Sequence, residues 1–166
     1  IQASEWAFEV QASTIDNEKS DASILLVLGE DANFGSFYGE ILRAEGFTSF
    51  ASIPASEVKA EKLANHQTLI VAGALDAASL APIRVWVEAG GKLIAIRPTG
   101  ALADFAGLAR STSRSSDGGD LIIDTQQQPG AGLVAEPIQF HGPSDVVSLK
   151  AGARALASLS VGSGKS

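Results

Sequence analysis

The sequence predicts an α/β domain built on a parallel, doubly wound sheet, and three features predict it. Short apolar runs alternate with segments of helical spacing from residue 24 to residue 100. The first run, Ile24-Leu25-Leu26-Val27-Leu28, is continuously apolar, as expected of a strand covered on both faces. Helix start and stop residues (Asn33, Asp76, Gly46 and the Gly90-Gly91 pair) fall between the runs. The resulting β-α-β-α-β-α-β order implies right-handed crossovers.

Upstream of that pattern, Trp6, Phe8 and Val10 alternate with Glu5, Ala7 and Glu9, a period of two that gives a strand with one apolar face. Residues 15–23 follow as a polar linker. Two placements of the strand stay open: the last strand of a preceding β-sandwich module, or an edge strand of the same domain. The division adopted is residues 1–22 as the end of a preceding β module with its linker, and residues 23–166 as the α/β domain.

After the first strand, Phe34, Phe37, Tyr38, Ile41 and Leu42 recur at helical spacing over residues 34–45, with Phe37 and Tyr38 expected in the core. Residues 48–53 form a weaker strand, residues 56–64 a short helix and residues 68–72 a third strand. Asp76 opens a helix carrying Leu80, Ile83, Val85, Trp86 and Val87, and residues 92–96 form the fourth strand. Beyond residue 100 a short helix is expected over 101–108, a polar loop over 111–120, and short strands over 121–124, 137–140, 146–149 and 155–161. No closing helix completes the second side of the sheet, so the fold is expected to be incomplete at its C-terminal end.

Composition narrows the function classes. At 166 residues and 17.0 kDa the chain suits one domain of ordinary size, and 45% hydrophobic against 19% charged residues is a folding composition. Twelve Lys and Arg against 19 Asp and Glu give a net charge of −7, which repels phosphate backbones and anionic lipid headgroups, so neither nucleic acid nor a membrane is expected as a partner. No apolar run approaches the ~20 residues of a membrane helix. The absence of cysteine excludes disulfides, thiolate metal sites and a cysteine nucleophile. A chain that starts at Ile1 and contains no methionine is expected to be a processed or excised piece of a longer polypeptide.

The run ILLVLGEDANFGSFYGEILRAEGFTSF, followed by TLIVAG, VWVEAGGKLIAIRP and GAGLVAEPIQFHGPSD, resembles the class I glutamine amidotransferase-like domains of large secreted bacterial multidomain proteins. The likeness covers about residues 23 to 160. It implies a flavodoxin-like sheet, a secreted or cell-surface location, and neighbours of immunoglobulin-like or sugar-associated type. The family pattern places a nucleophile on the sharp turn after the strand that here is residues 92–96, and draws one oxyanion donor from the next amide. Arg97 occupies that position and cannot attack a carbonyl, and Pro98 follows without an N–H. Two parts of the mechanism are therefore missing.

Ligands of open α/β sheets bind beyond the carboxyl ends of the strands. The candidate ligand contacts there are Glu30, Asp31 and Asn33 after the first strand, Arg97 and Thr99 after the fourth, and His141 with Asp145, where a carboxylate four residues from an imidazole could orient it. Simpler accounts stand beside each. Asn33 caps a helix next to two solvated acids, Arg97 pairs with those acids across the mouth, and Asp145 and Ser144 bond to backbone in a turn on which His141 packs. His66 is expected as a solvated loop residue. The terminal GSGKS lacks the spacing of a phosphate loop, and residues 35–39 lack the serine of a nucleophile elbow.

The expectation is a non-catalytic structural or interaction module, with no cofactor and no metal. The partner is the remainder of the parent polypeptide or another chain that completes the fold, and a carbohydrate is the candidate ligand. The rival is a hydrolase or carbohydrate-active enzyme in which Asp31, Arg97, His141 and Asp145 converge.

Overall fold

The computed structural model describes residues 22–29, 35–109, 114–115 and 118–161. The strand expected over residues 5–10, the acids Glu30 and Asp31, and Asn33 lie outside the described residues. Four parallel strands, β1 (Ile24–Leu28), β2 (Phe50–Pro54), β3 (Thr68–Ala72) and β4 (Lys92–Ile96), form a sheet of order β2-β1-β3-β4. Helix α1 (Gly35–Ala44) links β1 to β2; a 3₁₀ turn (Ala55–Glu57) and α2 (Ala60–Leu63) link β2 to β3; α3 (Ala77–Glu88) links β3 to β4, and α4 (Gly100–Phe105) follows. This is the α/β architecture that the alternation predicted.

The continuous apolar sequence of β1 follows from its place in the sheet. Paired on both sides and covered on both faces, it sends Leu25 and Val27 to one face and Leu26 to the other, all at most 1% exposed. On the first face they meet Leu63, Leu80, Ile83 and Leu102 from α2, α3 and α4. On the second, Leu26, Phe50, Ile70 and Ala72 meet Tyr38 and Leu42 of α1. Each fully buried Leu or Ile contributes about 1.5–3 kcal/mol.

Helix ends behave as the sequence indicated. Asp76 caps α3, its carboxylate accepting from the Ser79 amide at 2.7 Å. Both α1 and α3 stop at glycines with positive φ, Gly46 (87°) and Gly90 (105°). The amides of Gly46 and Phe47 return to Arg43 O and Leu42 O, and those of Gly90 and Gly91 to Val87 O and Trp86 O, a paired closure that only a left-handed residue permits.

Phe37 departs from expectation. It and Ile41 are 46% and 51% exposed, because α1 turns Tyr38, Gly39 and Leu42 to the sheet and no second helix flanks it on that side among the described residues. Ile94 of β4 is 52% exposed for the same reason. His66 also differs: it is half-buried, and its Nδ1 lies 2.6 Å from Ala22 O, fastening the turn before β3 to the chain before β1.

The C-terminal third builds small antiparallel pieces: β5 (Leu108–Ala109), β6 (Arg114–Ser115), β7 (Gly119–Ile123), β8 (Ile138–Phe140), β9 (Ser144–Asp145), β10 (Ser148–Leu149) and β11 (Ala157–Val161). They pair as β11-β7-β8, β10-β5 and β6-β9. Part of the expected loop over 111–120 is thus strand, and of the expected strand over 146–149 only Ser148–Leu149 is one, with a separate two-residue strand, β9, just before it. Pairings this short have no periodicity in sequence; only their distant partners define them.

Candidate functional site

The carboxyl ends of the sheet strands hold Gly29, Gly73 and Arg97. The crevice between β1 and β3, where the strand order reverses, is tightly closed at its base. Gly29 donates to Ala72 O at 2.7 Å, and a Cβ on Gly29 would overlap Ala74 O and the Gly73 carbonyl carbon. Glycine is required there by close backbone approach.

Arg97, the first residue after β4, has φ 46°, the one described non-glycine residue in the left-handed region. A strand that turns abruptly into a helix produces such a conformation, and α4 begins at Gly100. An L-residue in that region carries about 1–2 kcal/mol of strain. The Arg97 side chain runs to the C-terminal third, where Nε and Nη2 both donate to Asp145 Oδ2, at 3.0 and 2.8 Å. The pair is open to solvent, with the Arg97 and Asp145 side chains 67% and 43% exposed.

The sequence-derived candidates therefore divide. Arg97 and Asp145, distant in sequence, meet. Thr99 precedes α4 with its side chain making no capping bond, and is exposed. His141 is exposed just after β8 and has no hydrogen-bond partner among the described residues; Asp145 faces Arg97 instead of orienting it. Asp145 stands in the two-residue strand β9, paired with β6, and its carboxylate accepts from Arg97. Glu30, Asp31 and Asn33 lie outside the described residues. Among the described residues no three His, Asp or Glu side chains assemble as a metal set.

Sequence reasoning missed a second tether and a groove. Lys150 Nζ bonds Asp104 Oδ1 at 2.8 Å while its backbone N–H donates to Gly107 O, so the C-terminal third is fastened behind α4 as well as at Arg97. At the opposite end of the sheet, His66, Gln67, Trp86, Ala89, Gly90, Gly91 and Lys92 line an open groove of about 400 Å³. Trp86 is partly buried against the core and also lines this groove, with Gly91 too close to it to bear a Cβ. The doubled glycine after Trp86 was the signal available in sequence. Away from both places, the Asp76 carboxyl is held below its ordinary value by the Ser79 hydroxyl, then by the Ser79 amide.

No family model matches the sequence, and no curated protein matches it. Among solved structures the chain is similar to a protein assigned as a GMP synthase component from Thermoplasma acidophilum. The TM-score is 0.57 and the identity 13%, over 84% of this chain and 74% of that one. At that identity the likeness is one of fold.

Proposed function

We propose that this chain is a non-catalytic structural or interaction module of a larger exported bacterial polypeptide, related in fold to amidotransferases and emptied of their chemistry. The observation that carries the reading is the turn after β4. Its strained residue is Arg97, not a nucleophile, the next residue is Pro98, and the guanidinium is engaged by Asp145 from the C-terminal third. Where an active enzyme would spend backbone strain on presenting a reactive atom, here the strain presents a tether. A chain without cysteine has no thiolate to supply in its place. The secreted, multidomain and carbohydrate-associated setting rests on the resemblance of the β1–α1 and α3–β4 segments.

Incubation of the chain with glutamine, and with ester, amide and glycoside substrates, is expected to release no product above the buffer rate. Turnover abolished by Arg97→Ala or Asp145→Asn would overturn the reading. Loss of β9–β6 pairing without loss of the parallel sheet in those variants would fit it.

A further inference from the structure

The groove at the amino ends of β3 and β4 has a frame held by bonds on every side. The Gln67 amide donates to Ser23 O at 2.8 Å and the Lys92 amide to Gln67 O at 3.1 Å, which fixes the two strand starts beside it. His66 is fastened through Nδ1, 2.6 Å from Ala22 O. Gly90 and Gly91 close α3 through bonds to Val87 O and Trp86 O. The two glycines answer to different needs. Gly90 has φ 105° and ends the helix, whereas Gly91 is set by the indole, because a Cβ there would overlap Cδ2, Cε3 and Cζ3 of Trp86.

The bond at His66 also fixes a tautomer. A carbonyl oxygen only accepts, so Nδ1 carries the proton and Nε2 of the neutral ring is a bare acceptor. Among the described residues no protein group bonds to Nε2, to the Gln67 carboxamide, to the indole N–H of Trp86 or to the Lys92 ammonium. One aromatic surface is therefore joined by unspent acceptors on His66 and Gln67 and unspent donors on Gln67, Trp86 and Lys92. The volume, about 400 Å³, lies in the lower part of the range for small-ligand sites, about 300–1,000 Å³. A net charge of −7 disfavours a phosphate-bearing ligand, and a planar base would find one aromatic wall here, not two. Hydroxyl groups both donate and accept, and a sugar ring carries them around an apolar C–H face that suits a single indole.

We infer that this groove binds one pyranose ring, its C–H face on Trp86 and its hydroxyls shared among His66 Nε2, Gln67 and Lys92. The site lies at the opposite end of the sheet from Arg97 and stands on its own geometry. It gives the carbohydrate-associated setting proposed above a point of contact, and its failure would leave the reading of the Arg97 turn intact.

Titration of the 166-residue chain, followed in proton–nitrogen correlation spectra, tests it. Methyl glucoside, methyl galactoside and N-acetylglucosamine are added separately, with cyclohexanol as a ring that lacks the hydroxyl pattern. At least one sugar is expected to shift the Trp86 indole N–H and the Gly91 and Lys92 amides with a single Kd of about 1–10 mM, leaving Leu26 and Val27 unmoved. Gln67→Ala is expected to weaken binding about 3–10-fold and Trp86→Leu at least ~10-fold. Gln67 is exposed, so its variant keeps the test alive if Trp86→Leu, partly buried against the core, fails to fold. Absence of shifts with all three sugars overturns the inference, as does equal binding of cyclohexanol or a Kd unchanged by Gln67→Ala. Nitrogen spectra of His66 above its titration are expected to show Nδ1 protonated and Nε2 bare; the reverse pattern removes the acceptor and overturns it too.

Discussion

Replacing Arg97 separates two effects that the turn after β4 combines. Arg97→Ala removes the ion pair with Asp145 and keeps a Cβ at φ 46°. With the two side chains 67% and 43% exposed, the pair is worth about 0–1 kcal/mol. Arg97→Gly loses the same pair but also releases about 1–2 kcal/mol of left-handed strain. Against that, glycine costs about 0.5–1 kcal/mol in unfolded-chain entropy. On the central values glycine should thus be more stable than alanine by about 0.75 kcal/mol, or about 2–3 °C in Tm for a chain of this size. Thermal and urea unfolding of the parent and both variants, at low salt and in about 1 M NaCl, provides the assay. Salt should shrink the gap between the parent and Arg97→Ala, because screening acts on the pair, and leave the gap between glycine and alanine unchanged. An Arg97→Gly chain no more stable than Arg97→Ala would refute the account of a strained turn.

Other outcomes follow from the core and the caps. Leu26→Ala, at a side chain 0% exposed in the central strand, should cost about 2–5 kcal/mol, whereas Val85→Ala, 68% exposed on α3, should stay within about 0.5 kcal/mol; urea midpoints compare them. Gly29→Ala should cost about 1–3 kcal/mol, since the new methyl meets the Gly73-Ala74 backbone and no flexible side chain; the same unfolding curves read it. Asp76→Ala should lower Tm at neutral pH. The Asp76 carboxyl titrates lower in the folded state than its ordinary 3.8, so its contribution is full above that value and fades as pH falls through the lower folded value. The difference between parent and variant, followed by thermal unfolding from about pH 7 to about pH 3, should therefore narrow toward acid.

The site was legible only in part. Arg97 and Pro98 could be read from their place after an apolar run, since a strand end is fixed by local pattern. That Arg97 meets Asp145 could not be read, because the partner lies in a two-residue strand with no pattern of its own. The groove at Trp86 escaped for a related reason: periodicity assigns a helix residue to a face but does not show where neighbouring glycines leave that face uncovered.

From residue 24 to residue 100 the order of strands and helices, the caps at Asp76, Gly46 and Gly90, and the two-sided burial of β1 were already contained in the amino-acid order. Hydrophobic period and capping chemistry act over a few residues and need no distant partner. Which strands neighbour which, the exposure of Phe37 and Ile94, the strained backbone at Arg97 and the joining of the C-terminal third through Asp145 and Lys150 emerged only in three dimensions. Each depends on contacts between residues far apart in the chain, and a sequence records no separation in space.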